Sequence, residues 1–346
     1  MSDSERISDQ PEAVCSGKYK KMKKLLIPVL LLTGSLAFAQ DPIFSQFYAT
    51  PLQINPGFAG AAGASRIGTS YRNQWSGFNN AYKTYTVSCD QNIERLNSGI
   101  GFLAETDDAG NGIYKTLRLS ALYAYRLKIT DDLSVRLGVE AGMRQSGIDW
   151  QKLTFPDQID PVNGFTLNTE EIQPDVTTRT PADISTGMLL SNSRFYVGLS
   201  LHHLTSPREN LLRFNENLLE GVPTRYTLHG GTDFIVKAGN KNRPPSFISP
   251  NFLFVTQGPH RQLNVGAYAS AGSVFGGVWF RHTITNRDAV ILLAGFRQGI
   301  FKVGVSYDMT VSGLAGYAGG TYELSLGMIF EKEKRPDIND CTRMFQ

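Results

Sequence analysis

The stretch Leu117–Lys128 reads LRLSALYAYRLK, and its residues alternate between two kinds. Leucine, alanine and tyrosine fill every second position from Leu117 to Leu127, whereas arginine, serine and lysine occur only between them. A period of two is typical of a β-strand whose faces meet different surroundings. The run exceeds the ~5 to 6 residues of a typical strand and reaches the ~9 to 11 residues that cross a bilayer. It therefore predicts a membrane-spanning strand.

The same alternation recurs along the chain, most clearly in Leu133–Arg144, Phe195–Leu201, Phe301–Met309 and Tyr322–Phe330. About fourteen such segments are found, an even number as in bacterial outer-membrane barrels. We therefore predict an all-β fold: a transmembrane antiparallel up-and-down β-barrel with an irregular N-terminal plug or latch segment. The predicted strands span residues 66–75, 83–92, 98–106, 114–129, 132–147, 183–191, 194–205, 224–237, 247–257, 261–271, 274–284, 288–298, 301–312 and 321–330.

The two faces of these strands predict where lipid and lumen lie. The apolar face is expected to meet outer-membrane lipid, and the other face is expected to line a polar lumen. Charges on that face either line a conducting pathway or pair to brace the wall, and we favour bracing. These predicted lumen charges are Arg118, Arg126, Arg136, Glu140, Arg144, Arg297, Asp308 and Glu323.

The links between strands predict the orientation. ITDD, SNS, AGS and RQGI are tight turns expected in the periplasm, whereas the longer links, above all Ile148–Ala182, are expected outside the cell. AGNKNRPPS is a long exception on the short-turn side. An even number of strands returns both termini to the periplasm.

The start of the chain predicts export. A basic stretch at Met22–Lys24, an apolar run at Leu25–Leu36 and the small-residue site Ala37–Ala39 are typical of a secretory signal peptide. We therefore divide the chain into residues 1–39 (upstream extension and signal peptide, removed), 40–65 (an N-terminal periplasmic plug or latch, here called the opening segment), 66–330 (barrel) and 331–346 (periplasmic C-terminal tail).

Composition argues against several classes of function. The chain has 34 Lys and Arg against 31 Asp and Glu, and most of the excess lies in residues 1–39, so nothing favours a nucleic-acid partner. Cys89 and Cys341 are too few for a disulfide scaffold; a disulfide between them is topologically possible in the periplasm, and we favour two unpaired cysteines. His202 and His203 are adjacent in a predicted strand and should face opposite sides, which argues against a metal site or a catalytic pair. We predict no enzymatic activity, no cofactor and no metal.

The ends of the mature chain resemble a known family. DPIFSQFYATPLQINPGFAG at Asp41–Gly60 and YRNQW at Tyr71–Trp75 resemble the N-terminal signature of the PorP/SprF outer-membrane proteins of the Bacteroidota type IX secretion system. Ser306–Phe330 is similar to the family's closing hairpin, and CTRMF at Cys341–Phe345 is similar to its Cys-Pro-Arg-Phe ending, with Thr342 where proline is common.

The resemblance implies a role in protein secretion. Members of the family are non-enzymatic barrels that support secretion or surface anchoring of cargo with type B C-terminal sorting domains, including gliding adhesins. The implied partners are the C-terminal domain of the secreted cargo and periplasmic components of the secretion or gliding apparatus. From the residues alone, a transport channel for hydrophobic or small solutes, either a plugged fourteen-stranded transporter or a porin, remains the alternative.

The opening segment is the candidate functional element. Its prolines remove backbone donors and its glycines permit tight bends, so it can pack without joining a ladder. We expect it to lie at or inside the periplasmic mouth as a lumen plug or a periplasmic latch, held by lumenal polar groups with Arg72, Asn73 and Gln74 among the candidates, and to matter more for function than for folding; a flexible tail is the alternative. Its predicted site residues are Asp41, Pro42, Phe44, Ser45, Gln46, Phe47, Asn55, Pro56 and Gly57.

Overall fold

The structure is a computed structural model that describes residues 40–78, 82–208, 221–239, 245–284, 286–313, 315–330 and 345. Within these residues, fourteen antiparallel strands form one closed barrel. The strands are β1 Ser65–Gln74, β2 Tyr82–Ile93, β3 Ser98–Ala109, β4 Tyr114–Lys128, β5 Ser134–Ile148, β6 Ala182–Ser191, β7 Phe195–His202, β8 Arg225–Thr232, β9 Ser246–Gln257, β10 His260–Ala271, β11 Val274–Thr283, β12 Asn286–Gln298, β13 Phe301–Thr310 and β14 Thr321–Phe330.

Closure joins the first strand to the last. Each strand pairs with its neighbour in sequence, and β14 pairs back onto β1 with Phe330 opposite Ser65 and Tyr322 opposite Asn73. A closed ladder satisfies the backbone of every strand internally, as a membrane requires. The closed fourteen-stranded barrel confirms the predicted fold class. The prediction succeeded because alternation is a strong signal in strands of this length.

The eighth strand departs from the prediction. A continuous strand was expected over residues 224–237, but β8 ends at Thr232 and a separate short strand, Phe234–Lys237, follows it. Thr232 pairs with Phe195, the first residue of β7, so β8 has no further partner on that side. The short strand continues on β9 alone, with Phe234 opposite Ile248.

The barrel has a short-turn end and a long-loop end. The short-turn end carries the starts of the odd-numbered strands, including the start of β1, and the end of β14; the long-loop end carries the links 149–181 and 203–224. Tight connections occur at the long-loop end as well, between β9 and β10 and between β11 and β12. The difference between the two ends therefore rests on a few long links.

The outer face of the barrel is apolar and exposed, as the alternation predicts. Val139 is 54% exposed and Leu127 is 45% exposed, whereas Arg118 and Ser120 on the opposite face are buried. Cys89 lies on the outer face with a free thiol. Cys341 lies outside the described residues, so its state stays a prediction.

The lumen is not polar throughout, and this corrects the sequence-based expectation. Much of its wall packs as an apolar core around the opening segment, because that segment brings its own large apolar side chains into the barrel. The wall contributes Leu103, Leu122, Ala124, Leu189, Tyr196, Phe247, Leu253, Val255, Tyr268, Phe275, Trp279, Ile291 and Leu293, and the opening segment contributes Phe47, Tyr48, Leu52, Ile54, Phe58, Ala59 and Ala61.

No helix in the described part of the chain has the length and apolar character needed to span a membrane. The predicted upstream extension and signal peptide, residues 1–39, lie outside the described residues, as does the tail 331–346 apart from Phe345.

A charge on the outer face should be costly in proportion to its depth. We expect Val139→Arg, in the body of β5, to reduce the free energy of unfolding in lipid vesicles by ~2 to 4 kcal/mol. Leu127→Arg, near the short-turn end of β4, is the matched control and should cost only ~0 to 1 kcal/mol. Urea titration of folded protein in vesicles measures both, and equal costs would contradict the assignment of this face to lipid.

Candidate functional site in the barrel lumen

The opening segment crosses the lumen from one end to the other. Asp41 contacts Arg144 and Arg225, which lie near the long-loop ends of β5 and β8. Gly60 donates its backbone N–H to Asp90 near the short-turn end of β2. The segment was expected at or inside the short-turn mouth, as a lumen plug or a latch; its last residues lie at that end, and the rest extends through the lumen. It runs farther because the groups that pair with Asp41 lie in the long-loop half.

Two proline-started turns shape the middle of the segment. Pro51 begins the helical turn Pro51–Ile54, and Pro56 begins the 3-10 turn Pro56–Phe58. Proline suits the first position of a helix because the N–H that it lacks has no intrahelical partner there. Asn55 caps the second turn, since its Oδ1 accepts from Gly57 N at 2.8 Å. The backbone thus satisfies much of its hydrogen bonding locally.

A buried ionic cluster fixes the first residues of the segment. Asp41 Oδ1 accepts from Arg144 Nη1 at 2.7 Å, and Asp41 Oδ2 accepts from Arg225 Nη1 at 2.9 Å. Asp41 Oδ2 lies 2.6 Å from His203 Nε2, and the backbone N–H of Asp41 donates to Gln257 Oε1 at 3.0 Å. Buried charges are tolerated when they are paired and hydrogen-bonded in this way.

Both histidines of the His202–His203 pair face the lumen, which contradicts the expectation that they point to opposite sides. β7 ends at His202, and His203 has φ +60, so the strand alternation is broken between them. His202 Nε2 lies 3.0 Å from Ile54 O, and His203 Nδ1 lies 2.7 Å from Asp183 Oδ2. The pair therefore holds the opening segment. Among the described residues, no three His, Cys, Asp or Glu side chains are grouped to hold a metal ion.

The carboxylate of Glu323 receives the Ser45–Gln46 turn. Its two oxygens accept the backbone N–H groups of Ser45 and Gln46, each at 2.8 Å. Arg72 forms a short ion pair with Glu323 and also donates to Ser45 Oγ at 3.2 Å. Of the other two expected anchors, Gln74 accepts from Arg72 at 3.4 Å, and Asn73 lies on the opposite face of β1.

A second carboxylate supports the same turn. Ser45 Oγ donates to Asp308 Oδ2 at 2.6 Å, and Arg281 Nη1 donates to that oxygen at 2.9 Å and to Ser45 Oγ at 3.0 Å. Sequence reasoning missed Arg281, as it missed Arg225. Arg281 follows the exposed Phe280 and Arg225 precedes the exposed Tyr226, and that alternation was the signal available.

Tyr48 and Lys302 meet where the segment turns toward the short-turn half. Lys302 Nζ lies 4.9 Å from the centre of the Tyr48 ring and 5.5 Å from that of Tyr268, within cation–π range. Tyr48 Oη donates to Gln46 Oε1 at 3.0 Å. Lys302 was not predicted as a site residue.

The amide of Asn55 binds the backbone of the wall. Asn55 Nδ2 donates to Met188 O at 2.9 Å and to Leu199 O at 3.2 Å, so one side chain bridges β6 and β7. Ser200 Oγ adds a bond of 2.6 Å to Ile54 O. The segment is thus joined to the wall by hydrogen bonds on its apolar stretch as well.

Glycines in the wall make room for the segment. A Cβ on Gly138 would lie 2.3 Å from the backbone of Gly57, and one on Gly187 would lie 2.1 Å from Asn55 Oδ1. A Cβ on Gly99 would lie 2.1 Å from Ala59 O. Glycine inside a strand often marks close approach of another backbone. That signal was present in the sequence and was not used.

The remaining predicted residues fall into two groups. Arg118 forms a short ion pair with Glu140, and Arg136 is completely buried, whereas Arg126 and Arg297 are half-buried in the short-turn half. Most of the predicted lumen charges thus lie in a filled interior. The predicted site residues of the opening segment are buried, apart from half-buried Pro42: Asp41, Phe44, Ser45, Gln46, Phe47, Asn55, Pro56 and Gly57.

The expectation that the segment matters more for function than for folding stays a prediction, and the packing of the segment determines how it can be tested. Phe44, Phe47, Leu52 and Phe58 are each at most 2% exposed, and most of them belong to the core that the wall also forms. Deleting them would leave apolar wall residues facing an empty lumen. Point substitutions are therefore better probes of the segment than deletion.

Gly138→Ala should unseat the segment. The added Cβ meets backbone atoms of the opening segment that have little freedom to move, so overpacking is expected to cost ~1 to 3 kcal/mol. Gly327→Ala is the matched control, since its Cβ would find no atom nearer than 3.8 Å. The temperature at which the folded band disappears on gels measures both variants. Equal temperatures would contradict the close approach.

Asp41→Ala should destabilise the long-loop half of the lumen. It leaves Arg144 and Arg225 buried without their shared carboxylate, and breaking such a pair typically costs ~3 to 5 kcal/mol. Asp160→Ala is the control, because Asp160 is half-buried in the link 149–181 and accepts the neighbouring backbone N–H groups of Val162 and Asn163. Urea unfolding measures the difference, and a loss no greater than that of the control would argue against the ionic cluster.

Comparison with known proteins identifies the family to which this chain belongs. Over 77% of its length the chain is similar to a Pseudomonas aeruginosa FadL homologue, at 12% identity, 90% coverage of that chain and a TM-score of 0.42. An Rh. blastica porin mutant is similar over 77% of this chain and 98% of its own, at 8% identity and a TM-score of 0.32. The search of curated proteins gave no match. The family model described as type IX secretion system membrane protein PorP/SprF matches residues 36–328, and the chain belongs to that family.

Proposed function

We propose that this barrel supports secretion or surface attachment of cargo proteins with type B C-terminal sorting domains, gliding adhesins among them. Family membership supports a place in the type IX secretion system. The observation that carries the proposal is the filled lumen: the opening segment packs through it with buried ionic and apolar contacts. We infer that the protein acts by binding other proteins and catalyses no reaction.

The filled lumen also favours this function over a solute channel. Solute passing through the lumen would have to displace Phe47 and Phe58 from the apolar core and Asp41 from its ionic partners. An open porin has a water-filled lumen instead. A binding role makes no such demand, since the loops and the ends of the barrel remain available to partners.

We propose that the long-loop end faces the cell surface and receives cargo. The link 149–181 exposes apolar side chains there: Val162 and Ile172 are each 88% exposed, and Phe165 is 65% exposed. Exposed apolar side chains that cluster on a protein surface commonly mark an interaction site. Components of the secretion or gliding apparatus would then meet the short-turn end from the periplasm.

Local hydrogen bonds keep that link ordered. Asp157 accepts the backbone N–H of Glu170 at 2.6 Å and the hydroxyl of Thr169 at 2.9 Å, and these bonds lower the pKa of its carboxyl. Within the same link, the two-residue strands Ile159–Asp160 and Gly164–Phe165 pair with each other. An ordered loop loses less conformational entropy when it binds a partner.

The second long link offers a route from cargo to the opening segment. It starts at His203, which contacts Asp41 and, through its backbone oxygen, accepts from Thr224 Oγ1 at 3.4 Å. Arg225 follows at the start of β8 and donates to Asp41. A partner that moves this link would therefore act directly on the Asp41 cluster.

The test is surface retention of cargo in cells that carry loop variants. Val162→Asp combined with Ile172→Asp should leave a normally assembled barrel but release cargo. Each lost apolar contact is worth ~1.5 to 3 kcal/mol, or about tenfold or more in affinity. Val236→Asp is the control, because Val236 is 69% exposed in the short strand after β8, at the other end.

Mass spectrometry of proteins that co-purify with each variant identifies the cargo. Normal cargo retention by the assembled double variant would contradict cargo binding at this loop. Rapid solute flux through the reconstituted wild-type barrel, with no cargo bound in cells, would favour the channel instead.

A further inference from the structure

An aromatic residue from the end of the chain lies inside the lumen. Phe345 is only 4% exposed, although it follows the last strand in sequence. Its ring centre lies 4.5 Å from that of Phe58 and 6.5 Å from that of Phe47, both in the opening segment. Tyr196 of the wall meets it edge-on at 5.3 Å. These residues, with Arg66, form what we call the tail socket.

Arg66 makes the socket recognise a main chain as well as a ring. Its Nη1 donates to the backbone oxygen of Phe345 at 2.9 Å. Its Nε donates to Asp90 Oδ1 at 2.8 Å, and the other oxygen of Asp90 accepts the backbone N–H of Gly60 at 2.9 Å. One carboxylate therefore orients the arginine that binds Phe345 and also holds the opening segment.

The tail socket has a free hydrogen-bond donor and an adjoining cavity that could bind the peptide residues on either side of the aromatic residue. Arg66 Nη2 is buried and has no hydrogen-bond partner among the described residues. A cavity adjoins Phe345 and is lined by Arg66, Lys302, Ser88 and Tyr48, which offer donors on one side and a ring on the other. An arginine that is already oriented loses little entropy when its free N–H donates to a further ligand oxygen.

We propose that the tail socket is a peptide-binding site for a short segment with an aromatic residue, and that its occupant is the chain's own C-terminal segment. Among the described residues, the opening segment supplies two of the three ring contacts of Phe345, so docking of Phe345 and seating of the opening segment stabilise each other. When the tail is removed, the socket accepts a peptide from outside.

The experiment uses a synthetic labelled peptide of residues 341–346 with Cys341→Ser. Barrels that end at Phe330 should bind it with saturation, as measured by fluorescence anisotropy in detergent. The same peptide with Phe345→Ala should bind at least about tenfold more weakly, because one buried aromatic ring is lost. The full-length barrel should show little binding, since its own tail occupies the socket.

A second protein keeps the test decisive if the truncated barrel fails to fold. The full-length Phe345→Ala variant retains the whole chain and should bind the parent peptide, because its socket lacks a ring. Equal binding of the parent and Phe345→Ala peptides would overturn the proposal. So would equal binding to the wild-type and Phe345→Ala barrels. Cargo retention plays no part in this assay, so its result is independent of the proposed function.

Discussion

The ladder between β1 and β14 is the constraint on which the rest of the structure depends. It closes the sheet, and closure fixes for every strand which face points inward. Once the inward face is fixed, Arg72 and Glu323 on the two joined strands lie directly opposite each other and receive the Ser45–Gln46 turn. The site for the opening segment is thus a result of barrel closure.

The opening segment and the wall are matched by two kinds of interaction. Ionic and hydrogen-bonded groups predominate in the long-loop half, where Asp41 and Ser45 are held. Ring packing and glycine-sized gaps predominate farther along, where Asn55 and Phe58 approach the wall. The polar contacts set position along the barrel axis, because they are directional, and the close packing excludes alternative arrangements.

Sequence alternation was sufficient to predict the strands of the barrel wall, but it did not predict what fills the lumen. Strands such as β4 and β5 are long and regular, so their faces could be read directly. The side to which His203 points could not be predicted. It faces the lumen because its backbone has φ +60 just after the end of β7, and strand alternation does not extend to it. The apolar lumen was missed because charges on the inner face such as Arg118 and Arg126 outweighed the apolar inward positions between them, Leu122 and Ala124. Wall glycines such as Gly138 carried that information.

The segment that fills the lumen also has a mechanical consequence. It is held by Asp41 at one end of the barrel and by Asp90 near the other, with ring contacts in between. A pull on the loops at the long-loop end is therefore carried along two parallel paths, the hydrogen-bonded wall and the opening segment inside it. Sharing load between them reduces the force on any single strand pair. A barrel built in this way is suited to bearing a load along its axis.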